Sequence, residues 1–277
     1  MLGSILQKLF IALISGFTEF FCVPAMPHRM LFEVLTGTDQ SDPLLSLAVH
    51  FGALLAVILA CKRRMIYLMR ADRQERNTRR RRNRHLDMNA VLEIRMLKVA
   101  ALPLLIGMFF YQRAGKLVTG VAALSLTLLI NGFIVFLPRI LPRGNKDSRM
   151  MSPLDSLIVG IGGALALIPG VSRVTAMTTA GALRGTDTSQ TLEYALLLSV
   201  PALIVLLCFD IYALVVAKVA ITAVMVLIMI LAAALACGSG YASILFMRFM
   251  SMKSGFHTFC YYSWGMALFS FVLYLLI

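Results

Sequence analysis

Apolar residues in this chain run in long unbroken stretches instead of alternating with polar ones at the period of a surface helix or strand. Six stretches, 43–61, 96–112, 117–137, 191–209, 213–236 and 255–277, approach the roughly 20 residues that a membrane-spanning helix needs. Two others, about 4–26 and 154–168, break at a proline and run into a polar cluster. The clusters are Pro24-Ala25-Met26-Pro27-His28-Arg29 and Pro169-Gly170-Val171-Ser172-Arg173. Both predict re-entrant helix pairs. Broken backbone at membrane depth survives only where protein or a cavity satisfies its polar groups.

The pattern repeats. Leu35-Thr36-Gly37-Thr38-Asp39-Gln40-Ser41 matches Leu183-Arg184-Gly185-Thr186-Asp187-Thr188-Ser189, and each copy lies between a broken segment and a long apolar span. Gly37 and Gly185 suit helix ends with positive φ, and Ser41 and Ser189 suit the N-cap of the next span. Each half would hold one re-entrant pair and three spans, so the second half enters the membrane inverted. The expected fold is an all-α membrane protein: one domain over 1–277, six transmembrane helices plus two re-entrant pairs, with inverted repeats at about 1–138 and 154–277. Inverted repeats with discontinuous helices place their sites where the broken segments meet.

Composition agrees. Hydrophobic residues make up 60% and charged residues 14%, and mean hydropathy is +0.85, which excludes a disordered chain. Of the 26 Lys and Arg behind the net charge of +13, 11 fall within residues 62–84. That run reads as a topology signal in contact with anionic lipid headgroups, holding a loop over 62–95 in the cytoplasm. Nucleic acid is not expected as a partner, because residues 72–90 offer neither a folded platform nor aromatics between the basic residues. Arg139, Arg143, Lys146, Arg149, Arg248 and Lys253 also fall on the cytoplasmic side of this arrangement, and the C-terminus falls outside. Arg113 and Lys116 do not obey it. Lys8 before an apolar run superficially suggests a signal peptide, but Glu19 interrupts the run and no clear cleavage site follows, so the segment is kept. The five cysteines show no metal or disulfide spacing and read as small buried apolar residues.

The chemistry concentrates at the breaks. Glu19 lies within an apolar run, where an ionisable residue costs about 2.5–3.5 kcal/mol and faces a partner or a cavity. His28 follows nine residues later. Together they could move a proton or hold a divalent cation, Mg2+ or Ca2+. Arg173 offers a fixed fork of donors suited to phosphate or diphosphate. Gly170 lets backbone N–H groups approach an anion, and a helix starting near Ser172 adds its dipole. His50 reads as a packing residue. Glu193 and Asp210 read as the two ends of the span 191–209.

At these residues the chain resembles the undecaprenyl-diphosphate phosphatase family of integral membrane enzymes. The resemblance covers nearly the whole chain. It is carried by Gly16-Phe17-Thr18-Glu19-Phe20 on to His28, by Pro169-Gly170-Val171-Ser172-Arg173, by Val49-His50-Phe51-Gly52-Ala53 and by Glu193-Tyr194-Ala195 through Pro201. It implies a bacterial plasma-membrane phosphatase acting on a polyprenyl diphosphate lipid at the outer face, with Glu19, His28, Ser172 and Arg173 as catalytic residues. Gly170 and Arg173 would bind the substrate. This chain departs from the pattern: Ser15 stands where the family has a second acid or amide. Pro24-Ala25-Met26-Pro27 stands where it has Ser-Ser-Thr-Gly, and Val174-Thr175 where it has Ser-Gly. Ala25 replaces the serine cast as nucleophile. Water is then the expected attacker unless Ser172 serves. A non-catalytic polyprenyl-phosphate transporter is the alternative.

The charge asymmetry sets a test. With the native cysteines replaced, Arg70→Cys should resist a membrane-impermeant maleimide in intact cells and react after permeabilisation. Labelling of intact cells would reverse the topology.

Overall fold

The computed structural model describes residues 2–36, 42–78, 87–110, 120–147, 150–166, 168–218, 222–253 and 255–276. Within them lie the helices α1 (Leu2–Glu19), α2 (Ala25–Thr36), α3 (Pro43–Thr78), α4 (Met88–Met108) and α5 (Val121–Ile140). The second half continues with α6 (Pro153–Leu165), α7 (Arg173–Leu183), α8 (Thr188–Ala217), α9 (Ala223–Met252) and α10 (Phe259–Leu276). The described residues contain no strand, and one parallel bridge joins Lys146 to Thr186. Five helical segments are long and apolar enough to cross a membrane: α3, α5, α8, α9, and α10 with the 3-10 turn before it. Both halves show the same order, a broken pair followed by three long helices.

The helix starts follow side-chain chemistry. Ser152 and Asp155 form a capping box before α6, with Pro153 in the first turn. Ser172 caps α7 and Asp187 caps α8. Ser189 is therefore not the cap of α8. Its own N–H donates to the Asp187 carboxylate, which also takes the N–H of Gln190 and so caps the helix two residues earlier. Gly185 does have the positive φ expected of it, at 74°. The first copy of the repeated motif, at 37–41, lies outside the described residues. Asp42, just beyond it, accepts from the N–H groups of Leu44 and Leu45 at the start of α3.

Two boundaries differ from expectation. The described parts of the basic segment, 62–78 and 88–95, are helical, and their acids are placed to pair with their bases. Glu93 accepts from Arg64 at 2.6 Å, Asp72 pairs with Arg76 and Lys98, and Glu75 pairs with Arg95. These pairs zip the end of α3 to the start of α4, so α4 begins at Met88, carries three charges and stops at Met108. It is not among the five long apolar helices. α8 runs on to Ala217, and Lys218 after it adopts a left-handed conformation. Both Glu193 and Asp210 therefore lie inside α8 and do not mark its ends.

Small residues set the packing. A Cβ on Gly52 would come within 2.9 Å of the Ala236 side chain, and one on Gly16 would strike the α9 backbone at Ala236. α9 thus lies close against both α1 and α3, as small residues allow between apolar helices. The segment Phe20–Val23 between α1 and α2 is buried in the main core with Tyr194, Leu196 and Leu203 of α8. Cys22, Cys61 and Cys260 are buried, while Cys208 is exposed.

Asp155 anchors the second broken pair. Its carboxylate accepts from Arg184 at 2.7 Å, Lys146 at 3.3 Å and the Ser152 N–H at 3.0 Å. Burial alone would raise this carboxyl, but the hydrogen bonds outweigh burial and hold it at about 2. A depressed folded value stabilises the protein above the unfolded value, near pH 4, and that stability is lost as pH falls through about 2. The contribution is about 2 kcal/mol. Asp155→Asn should lower thermal stability at neutral pH and flatten the acid limb between about pH 4 and pH 2 in a detergent melting series. An unchanged limb would show that another carboxylate carries it.

Candidate active site

The two breaks meet at the side of α5. A broken helix leaves carbonyls and N–H groups that no lipid can satisfy. In the first break, the Cys22 carbonyl accepts from Asn131 Nδ2 at 3.0 Å and the Phe21 carbonyl accepts from Ser172 Oγ at 2.7 Å. In the second, the Ser172 N–H donates to Asn131 Oδ1 at 2.9 Å. Asn131 is fully buried and comes from the middle of α5. Its orientation follows from its partners, because a carbonyl requires the amide nitrogen and an N–H requires the amide oxygen. Gly170 has φ 101°, and a Cβ there would collide with Thr127 of α5. The second break can therefore lie flat against α5 only with glycine at this position.

This stitching brings Glu19 to Arg173. The residues are 154 apart in sequence, and an Arg173 Nη donates to Glu19 Oε1. Their side chains are 14% and 11% exposed, so the pair lies in protein and not in lipid. Arg173 also occupies the first position of α7, whose Arg173 and Val174 N–H groups lack intrahelical partners. The buried Arg173 Nε has no hydrogen-bond partner. The guanidinium thus keeps donor capacity beyond its bond to Glu19, beside a helix N-terminus that favours negative charge.

A cavity of about 480 Å3 opens beside this pair. Glu19, Arg29, His50, Gly170, Arg173 and Asp210 line it, and Ala25 presents a methyl group to it. Arg29 donates to Ser46 Oγ at 3.1 Å. His50 Nδ1 lies 2.6 Å from Asp210 Oδ2. The charge arrangement can hold an anion on Arg173 and the α7 N-terminus, with two acids and one imidazole around it.

Two expected residues take other positions. His28 does not line this cavity. Its Nδ1 bonds the Pro24 carbonyl and its Nε2 bonds the Tyr262 hydroxyl, both at 2.9 Å. The ring stacks on Tyr262, at the edge of a separate apolar cavity of about 490 Å3 lined by Leu13, Phe17, Phe21 and Phe259. Glu19 and His28 therefore do not present two ligands to one ion, and the described residues hold no group of three or more acidic, His or Cys side chains that would. Ser172 is close but occupied. Its hydroxyl donates to Phe21 and accepts from the Thr175 N–H and from Thr175 Oγ1 at 3.0 Å. It is 2% exposed, and its hydroxyl clamps the two breaks together.

His50, Asp210 and Asn131 were missed as site residues. Asp210 has the same signal as Glu19, an acid in an apolar run. Asn131 stands in Leu128-Leu129-Ile130-Asn131-Gly132, where an amide inside a span calls for a partner.

An all-helical polytopic membrane protein with two broken helices clamped over an arginine-bearing cavity defines a class of integral membrane protein that handles an anionic group. The chain belongs to the family of bacitracin resistance protein BacA, whose model matches residues 8–269. It is 28% identical over 265 residues to the "Undecaprenyl-diphosphatase" of Halothermothrix orenii, covering 94% of each chain. It is 24% identical over 259 residues to the "Undecaprenyl-diphosphatase" of Carboxydothermus hydrogenoformans, covering 93% of each. The "Undecaprenyl-diphosphatase 1" of Shouchella clausii is 26% identical over 202 residues, with 73% of this chain and 72% of that protein covered.

A double-mutant cycle tests the pair at the centre. Removing one partner of a buried ion pair costs about 3–5 kcal/mol, because the other charge stays behind. Glu19→Ala and Arg173→Ala should each lower thermal stability strongly, and the double variant should lose clearly less than their sum. Additive losses would mean that the two charges do not share a site.

Proposed function

We propose that this protein is an undecaprenyl-diphosphatase that hydrolyses a polyprenyl diphosphate to the monophosphate for reuse as lipid carrier. The observation that carries this reading is Arg173. It stands at a helix N-terminus on the wall of a polar cavity, held by Glu19 and with donor capacity to spare. The names of the relatives over most of the chain support it. The fold supports six crossings and two re-entrant pairs in an inverted repeat, with α4 as the sixth crossing. The same reading places the protein in a bacterial plasma membrane, its cavity open to the outer face.

The chain's own residues perform three tasks in this reading. Arg173 and the first N–H groups of α7 grip the diphosphate and stabilise charge as the terminal phosphoryl group transfers. Glu19 keeps the guanidinium aimed at the cavity. Ala25 has no hydroxyl and Ser172 is fully bonded, so water attacks directly and no covalent phosphoserine forms. The pair Glu19 and His28 does not fit a divalent cation, and no step is assigned to one.

Purified full-length protein should release inorganic phosphate from a C55 polyprenyl diphosphate. Arg173→Ala should lower turnover about a hundredfold or more, and Arg173→Lys should not restore it, since one ammonium does not reproduce a bidentate fork. A liposome assay for translocation of labelled polyprenyl phosphate runs beside it. Translocation without phosphate release would replace the enzyme with a transporter.

A further inference from the structure

His50 and Asp210 form a second hydrogen-bonded pair on the cavity wall, and the anion clamp does not use it. His50 sits in the third turn of α3, and Asp210 lies within α8. Their side chains are 17% and 15% exposed. An acid and an imidazole inside apolar helices would satisfy each other for purely structural reasons. Three observations point further. Both side chains line the cavity that Glu19 and Arg173 line. The 2.6 Å bond to the carboxylate calls for the imidazole proton on Nδ1, so in the neutral ring the lone pair is on Nε2. Among the described residues, Nε2 bonds to no protein group.

The reaction needs such a group. Attack by water on phosphorus forms one P–O bond, breaks the bridging P–O bond and releases one proton. The prenyl monophosphate leaves with the bridging electron pair and, as a stable anion, needs no acid. A base must take the proton of the water. Of the groups lining the cavity, Glu19 is committed to Arg173 and Asp210 to His50. Arg29 and Arg173 are cations. The imidazole Nε2 remains.

We propose that His50 is the general base that orients and deprotonates the attacking water, and that Asp210 is the positioning residue that holds its tautomer. This rests on the diphosphatase reading. The proton passes from water to Nε2 as the new P–O bond forms, and the imidazolium is stabilised by the carboxylate behind it until phosphate departs. His50 would thus supply what a lost hydroxyl nucleophile no longer provides.

The test uses the full chain in detergent with a C55 polyprenyl diphosphate. His50→Ala should lower kcat by about a hundredfold or more while KM stays within about threefold. Asp210→Asn should lower kcat without raising KM, because the amide offers an N–H where Nδ1–H needs an acceptor. Added imidazole should restore part of the His50→Ala turnover by occupying the vacated space, a recovery that a structural histidine would not show. His50→Gln, which keeps a polar partner for Asp210, guards against misfolding and should be as slow as His50→Ala at an unchanged melting temperature. If wild type turns over and His50→Gln keeps kcat within about threefold of it, His50 is not the base and the diphosphatase reading stands. Loss of kcat in His50→Ala with no imidazole rescue and a matching fall in melting temperature would overturn the base in favour of a structural pair. A folded wild type that releases no phosphate would sink the diphosphatase reading itself.

Discussion

One carboxamide holds the two halves of this protein together at their weakest points. Asn131 donates to the carbonyl of Cys22 in one break and accepts from the N–H of Ser172 in the other. A third bond, to Ser263 Oγ at 3.1 Å, ties it to α10. In water each bond would be worth about 1 kcal/mol, because solvent competes. Within apolar helices the comparison is with groups left unsatisfied, which cost several kcal/mol each. The breaks can exist because Asn131 and Ser172 answer both of them at once. Once they do, Glu19 and Arg173 have little choice but to meet.

The same rule governs charge throughout the apolar part of the molecule. Glu193 receives two bonds from Arg248, at 2.5 and 2.9 Å, and that arginine also reaches the Ala60 carbonyl. Glu93 is nearly buried against Arg64. These pairs close on themselves and lock helices. Glu19–Arg173 and His50–Asp210 are built from the same chemistry but open onto a cavity, and each leaves a ring or guanidinium nitrogen unspent. What sets the two latter pairs apart is the cavity they share, not residue type. A buried pair contributes little net stability once desolvation is counted. Pairs that face the cavity therefore draw their value from what they can bind.

Much of this was legible from residue order. Proline after a long apolar run marked both breaks, and an acid and an arginine in apolar context marked the central pair, while Gly170, read as an approach to an anion, lies against Thr127 of α5. What order along the chain does not carry is rotation about a helix axis. His28 lies nine residues after Glu19, yet the turn into α2 sends its ring toward Tyr262, 234 positions away. Asp210 was hidden by its own charge. A hydropathy reading ends a span at the first acid, although α8 runs on to Ala217, its acid bonded by His50 from a neighbouring helix. The charged start of α4 was hidden in the opposite way, since its bases look like loop until the acids of α3 are laid beside them.

The replaced motif residues make sense as a set. Thr175 stands where the family pattern has glycine, and its hydroxyl bonds Ser172 Oγ, which commits that serine to the clamp. Ala25 removes a hydroxyl from the cavity wall, and the prolines at 24 and 27 flank it with fixed φ. The changes at 25 and 175 remove a hydroxyl or bind one, while Glu19 and Arg173 of the motifs stay in place. Binding an anion and attacking it are therefore separable demands on this scaffold. The first is met by donors fixed at the breaks. The second can pass from a side-chain hydroxyl to water if a base lies on the same cavity, and the long helices α3 and α8 bring one there without any part of either broken segment having to change.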